Sequence, residues 1–171
     1  MTIMIPTWVD GVLTPVEKLE AHQRGLRHKA ISVFLIEGGK TLIQRRALGK
    51  YHTPGLWANT CCTHPVWDEP ALNCADRRLG EELGITGVTL THVNQVEYRA
   101  DVGGGLIEHE LVDIFRATSD APITMALNPD EVMDTRWISF EDLAAEVAAT
   151  PMIFTPWLRI YMEKHLSEIL G

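Results

Sequence analysis

The chain has 171 residues, 46% of them hydrophobic and 22% charged, a soluble globular composition whose length fits one domain (residues 1–171) rather than two. Its formal net charge of −8 argues against binding nucleic acid or an anionic membrane, which takes a basic surface. Three cysteines, with Cys61 and Cys62 adjacent and Cys74 apart, make a poor disulfide framework, and neither a signal-like start nor an apolar run near the roughly 20 residues of a membrane span occurs, so the cytoplasm is the expected location.

In chain order, Ile31–Ile36 is rich in β-branched and aromatic residues, Gly38-Gly39 follows, and Lys40–Arg45 comes next, which predicts a β-hairpin with a glycine turn. Pro54-Gly55 punctuates the next stretch, and Trp57–His64, poor in helix signals, reads as strand plus loop. Asp68-Glu69-Pro70 opens a helix, with proline at its first position and acids at its positive end. Leu72, Ala75, Leu79 and Leu83 recur at helical spacing, and Gly84 is a natural C-cap. Val88–Val96 and Ile107–Phe115 read as strands, with Gly103-Gly104-Gly105 in the loop before the second, and Arg136–Ile138 as a short strand. Ser139 caps a helix over Phe140–Ala149, and Thr155-Pro156 caps a last helix with Leu158, Tyr161, Met162, His165 and Ile169 on one side. The expected fold class is α+β: a mixed or antiparallel sheet flanked by helices.

Two stretches carry chemistry. In Arg77-Arg78-Leu79-Gly80-Glu81-Glu82-Leu83-Gly84-Ile85, helical spacing puts Arg78 and Glu82 on one face, while Glu81 and Glu82 point apart. Read alone, this is an ion pair on a solvated helix. The spacing also resembles the end of the Nudix box, with Glu69 where that box has its earlier Glu. Two positions depart from it: Thr63 stands for the opening Gly, and Arg78 for the Glu after the first Arg. The resemblance implies the Nudix fold, but a cation at a metal-binding position speaks against diphosphate hydrolysis.

The second stretch is Asn59-Thr60-Cys61-Cys62-Thr63-His64-Pro65. A free cysteine is ordinarily buried and inert. A structural zinc site lacks its second pair of ligands here, and a Cys–His hydrolase lacks an orienting third group. Glu108 and Glu110, two apart in a strand, share one face, and Val112 and Ile114 continue it. The two acids thus interrupt an apolar stripe, and buried carboxylates need partners.

The Cys61–Pro65 stretch, with Arg45-Arg46-Ala47-Leu48, the Arg78–Glu82 helix, Tyr98-Arg99, Glu108-x-Glu110 and Thr155-Pro156-Trp157, closely resembles the type 1 isopentenyl diphosphate isomerases, Nudix-fold enzymes that do not hydrolyse their substrate. That family binds one metal through three histidines and two glutamates, which implies His22, His28, His64, Glu108 and Glu110, the first two from an N-terminal segment over residues 1–30. The set suits Zn²⁺ or Mn²⁺, with Mg²⁺ less favoured by imidazole. A second ion, Mg²⁺ on the diphosphate, is implied at Glu82. Lys18, Arg46, Lys50 and Arg78 are the implied diphosphate contacts. The implied catalytic residues are Cys62, Glu110 and Tyr98. Glu110, assisted by Tyr98, delivers a proton to the alkene and Cys62 removes another, with a positive neighbourhood expected to lower the Cys62 pKa. Trp157 is the implied aromatic face for the cation. The expected partner is a small isoprenoid diphosphate met by a monomer. Rival readings are a Nudix-type diphosphate hydrolase, which shares Glu82 but needs an acid at position 78, and a non-catalytic binding module indifferent to Cys62.

Overall fold

Residues 2–171 are described by a computed structural model. Strand β3 (Arg27–Glu37) is its centre. Residues 30–35 of β3 are all buried, because the strand is covered on both faces. It pairs in parallel with β8 (Leu106–Thr118) over Arg27–Leu35, and β8 pairs antiparallel with β7 (Thr89–Gly103). On its other edge β3 takes a short strand, β6 (Cys61–Thr63), and near its start a hairpin of β1 (Met4–Val9) and β2 (Val12–Glu17). Its far end meets β4 (Lys40–Arg46), which carries β5 (Trp57–Ala58) and β9 (Val132–Ser139). The sheet is mixed, as expected.

Helix α2 (Ala71–Leu83) covers one face of the sheet with Cys74, Ala75, Leu79 and Leu83, packed against Ile31, Val33 and Leu35 of β3. Helices α3 (Phe140–Ala149), α4 (Pro156–Lys164) and α5 (Leu166–Leu170) cover the other, where Leu158 and Tyr161 meet Phe34, Val112 and Ile114. The alternation read along β8 holds: Glu108, Glu110, Val112 and Ile114 are all buried on one face. No helix among the described residues is long and apolar enough to cross a membrane.

Three details differ from the pattern reading. Pro70 is the N-cap of α2 rather than its first residue, and the first turn carries no acid. Asp68 sits instead in a left-handed turn, φ 65°, and Glu69 folds back to accept from the Val66 amide and from Arg77. The last helix is interrupted at His165, whose backbone leaves the helical region (φ −127°, ψ 10°). The N-terminal hairpin and the six-residue helix α1 (Lys18–Gln23) after it were not expected from the pattern.

Candidate active site

Five buried side chains converge where β3 and β8 begin. His28 and Glu110 are register partners across the parallel pair, so two ligand types face one another without any loop. Glu108 lies one alternation earlier on β8. His64 follows β6, and His22 ends α1, four residues after Lys18. One ligand atom from each of the five lies within 4.8 Å of every other.

The hydrogens in this cluster are already committed. His22 Nδ1 donates to the Lys18 carbonyl at 2.6 Å, and His28 Nδ1 donates to the Leu26 carbonyl at 2.7 Å. Nε2 of each ring is then the nitrogen that faces a carboxylate oxygen: His22 to Glu108 Oε1 at 3.1 Å, His28 to Glu108 Oε2 at 3.3 Å and Glu110 Oε1 at 3.5 Å. Lone pairs facing carboxylates repel unless a cation lies between them. Two donors each about 2.1 Å from one ion and at right angles stand about 3 Å apart, so these spacings suit a shared ion. Burial disfavours a charge on His28, yet Glu108 and Glu110 outweigh it and raise its pKa to about 10, another sign that the cluster calls for positive charge. Burial alone would raise Glu108, but hydrogen bonding with Glu110, His22, His28 and His52 holds it well below the usual carboxylate range. Backbone carbonyls that orient ligand histidines through Nδ1 are the customary outer support of a metal centre. The residues fit a metal ion; the donor set alone does not choose which.

Beside the cluster lies a narrow, polar-lined cleft that opens to the surface. The expected catalytic and diphosphate-binding residues and Glu82 line it: Lys18, Arg46, Lys50, Cys62, Arg78, Glu82, Tyr98 and Trp157, together with His64, Glu108 and Glu110. Three of the four cations, Lys18, Lys50 and Arg78, act on one another. Burial, then Lys50, then Arg78 lower the Lys18 pKa to about 8. Lys50 and Arg78 share Glu131, at 2.5 and 3.3 Å. Arg46 Nε and Arg78 Nε are buried with no hydrogen-bond partner, donors that an anion would satisfy.

Arg46 also lies over the Trp157 ring, 5.2 Å from its centroid. Thr155 caps α4 and so fixes the Trp157 turn. Glu82 is buried and accepts from Cys61 Sγ at 3.0 Å and, more weakly, from Gln44 Nε2 at 3.4 Å. The outward Glu81 pairs with Arg77 and Arg78, and Glu69 is spent on Arg77, so neither acid faces the cavity.

Tyr98, the register partner of Glu110 on β7, donates its hydroxyl to Glu110 Oε2 at 2.6 Å. Cys62 pairs with Ser32 across β3 and β6, and Ser32 Oγ lies 3.1 Å from Cys62 Sγ and 2.7 Å from Tyr161 Oη. The expected lowering of the Cys62 pKa is not found. Burial first and the Glu110 carboxylate second push the thiol well up, against the hydrogen bond from Ser32 and the charge of Arg46. Pattern reading passed over Ser32, Tyr161, Gln44 and Glu131, as well as Tyr51 and His52 at the cavity wall.

The NUDIX domain family model matches residues 26–158. Among solved structures, a protein from Deinococcus radiodurans superposes with a TM-score of 0.72 at 16% identity, covering 94% of this chain and 97% of that one. A MutT NUDIX hydrolase from Burkholderia pseudomallei superposes at 0.62 and 22% identity, over 81% and 98%. At such identities the likeness is one of fold. Curated relatives are much nearer. An isopentenyl-diphosphate Delta-isomerase of Cereibacter sphaeroides is 65% identical over all 171 residues and 97% of its own length. That of Dinoroseobacter shibae is 60% identical over the same shares. Similar from end to end to enzymes of that name, and built on the NUDIX fold, the chain belongs to the isopentenyl-diphosphate Delta-isomerase family.

Proposed function

We propose that this site converts isopentenyl diphosphate to dimethylallyl diphosphate by moving a proton on and a proton off the five-carbon chain. The observation that carries the reading is the pairing of Cys62 and Glu110, two acid–base side chains, in one cavity beside four cations. Lys18, Arg46, Lys50 and Arg78 hold the diphosphate, and Glu82 would hold a Mg²⁺ that supplies further positive charge to it. His22, His28, His64, Glu108 and Glu110 hold a second divalent ion, Mn²⁺, Zn²⁺ or Mg²⁺, which when bound supplies fixed positive charge beside Glu110.

The alkene is a very weak base, so its protonation demands an acid placed against it in a dry site. Cys62 and Glu110 serve as the donor–acceptor pair on opposite faces of the substrate. With the thiol proton at rest on Cys62, Cys62 gives to the terminal carbon and Glu110, oriented by the Tyr98 hydroxyl, takes from the internal one. That turnover leaves the opposite loading, Glu110 protonated and Cys62 as thiolate, which serves the reverse reaction until the two protons are exchanged; the order implied by the family resemblance, with Glu110 as donor to the terminal carbon, is the alternative assignment of the two groups. An isomerase running both ways needs both loadings. Ser32 and Tyr161 form a hydroxyl chain behind Cys62 that orients its thiol. The Trp157 face stabilises the tertiary cation without offering it a base.

Hydrolysis is disfavoured by Arg78, a cation where a metal-binding acid is required, and by Glu81 and Glu69 facing away from the cavity. The test is proton NMR of the enzyme with isopentenyl diphosphate and Mg²⁺ in D₂O. Deuterated dimethylallyl diphosphate is expected, with Cys62→Ala slower by about 10²-fold or more at unchanged metal content. Inorganic phosphate in place of isomer would overturn the reading.

A further inference from the structure

His52 belongs to none of the roles above, yet it makes the shortest contact of any ring nitrogen with Glu108. Its Nε2 lies 2.7 Å from Glu108 Oε1 and its Nδ1 lies 2.8 Å from Thr53 Oγ1, and the side chain is only about 5% exposed. At 2.7 Å from a carboxylate oxygen, Nε2 must carry the hydrogen. Nδ1 is then the acceptor, and the Thr53 hydroxyl donates to it. His22 and His28 differ in that a backbone carbonyl fixes a hydrogen on Nδ1, which leaves Nε2 as the nitrogen available to an ion. Within 3.3 Å, three ring nitrogens face Glu108, and of these His52 alone belongs to a ring whose Nδ1 has a hydroxyl rather than a carbonyl for partner, so that a neutral ring can donate from Nε2.

We infer that His52 is a positioning residue of the metal centre: its Nε2–H holds Glu108 Oε1 and so fixes the orientation in which the carboxylate meets the ligand histidines. In that orientation Oε1 also faces His22, at 3.1 Å, while Oε2 faces His28, at 3.3 Å, and His64, at 3.6 Å. The same residue ties the centre to the substrate cavity. Its ring stands edge-on to Trp157, with centroids 5.7 Å apart, and its carbonyl accepts from Arg46 Nη2 at 3.2 Å. Thr53, which fixes the tautomer, is held at φ 46°, in the left-handed region a β-branched residue rarely adopts. Such strain is retained where the surrounding structure over-determines it.

The inference rests on the metal site assigned above, so its test reads metal affinity in the absence of substrate, by calorimetric titration of chelator-treated protein with Mn²⁺ and with Zn²⁺. His52→Ala is expected to weaken binding about 10- to 100-fold, the usual effect of removing an outer-shell hydrogen bond. His52→Gln places an amide N–H at the reach of Nε2 and is expected to restore affinity to within a few-fold. Thr53→Val, which deletes the tautomer-setting hydroxyl at constant shape, is expected to fall between them. Thermal melts of the metal-free proteins identify a variant that merely fails to fold. Wild-type affinity in His52→Ala overturns the inference, and so does a folded His52→Gln no better than Ala, which would make the ring itself a ligand. Wild-type protein that takes up no ion overturns it as well. A metal response as expected in a protein that isomerises nothing would leave His52 in its role and remove the proposed reaction instead.

Discussion

Alternation along β6 sends adjacent cysteines to opposite sides of the sheet. Cys61 packs among the α2-side core and donates to Glu82, while Cys62 faces the cavity. Lys18 shows how position alone retunes an ordinary side chain. Burial, Lys50 and Arg78 bring its pKa from 10.5 to about 8, so above pH 8 the free enzyme holds a neutral amine where the diphosphate needs charge. KM is therefore expected to climb as pH passes 8, up to about tenfold per unit, while Lys18→Arg, always protonated, flattens the profile. Stability moves the other way. The unfolded chain binds more protons between pH 8 and 10.5, so the folded form gains from this residue as pH rises through that window, and unfolding cannot mimic the KM effect. A KM that is flat to pH 9 would refute the assignment of Lys18. The residues of the site were legible because several motifs stood in one order, Glu108-x-Glu110 among them. His52, Glu131 and Ser32 were not, since each acts through a partner 30 to 81 residues away and has no spacing to announce it.

At the scale of elements, α2 carries Arg78 and Glu82 to the cavity, and its end is held by Gly84. That residue sits at φ 66° with its amide bonded to the Gly80 carbonyl and the Ile85 amide bonded to Leu79. A Cβ there would come within 2.7 Å of the Ala126 backbone, which pairs with Leu83 through its own amide. Gly84→Ala is expected to cost more than the roughly 1–2 kcal/mol of a left-handed alanine, because backbone rather than a flexible side chain blocks the methyl. Urea unfolding checks this, and a midpoint unchanged from wild type would contradict it. Gly84 and the period of α2 were plain in the sequence, as were the strands of the doubly buried centre. The β1–β2 hairpin was hidden by Pro6 and Pro15, which face one another across it. Proline argues against a central strand; Pro15 is tolerated because β2 lies at the sheet edge, and Pro6 because β1 meets β3 only at Thr7. A helix as short as α1 offers too few turns for a periodic signal.

At the scale of the whole molecule, the N-terminal segment is joined to the rest by little apolar packing. Ile5, Val16 and Ala21 form a small cluster of their own, apart from the two cores that sandwich the sheet. Its anchor is His22, fully buried against Glu108. An ion shared by His22, His28, His64, Glu108 and Glu110 therefore cross-links α1 to β3, β8 and the turn after β6. Because such an ion binds the folded state alone, it raises stability in proportion to the logarithm of its concentration over its Kd, about 2.7 kcal/mol at a hundredfold excess. Removing it leaves the two buried carboxylates to the imidazoles alone, and the weakest-held element should yield first. Chelation is thus expected to lower Tm and to speed amide exchange over residues 4–24. The β3–β8 pairing, buried between both cores, should stay protected. His22→Ala should reproduce the local exchange pattern with the metal present, because it cuts the link on the segment's side and leaves four ligands behind. Exchange that rises uniformly along the chain on chelation, or that leaves residues 4–24 untouched, would show that packing and not the metal holds the segment down. In that case Lys18, four residues before His22, would owe its place at the cavity to the hairpin alone.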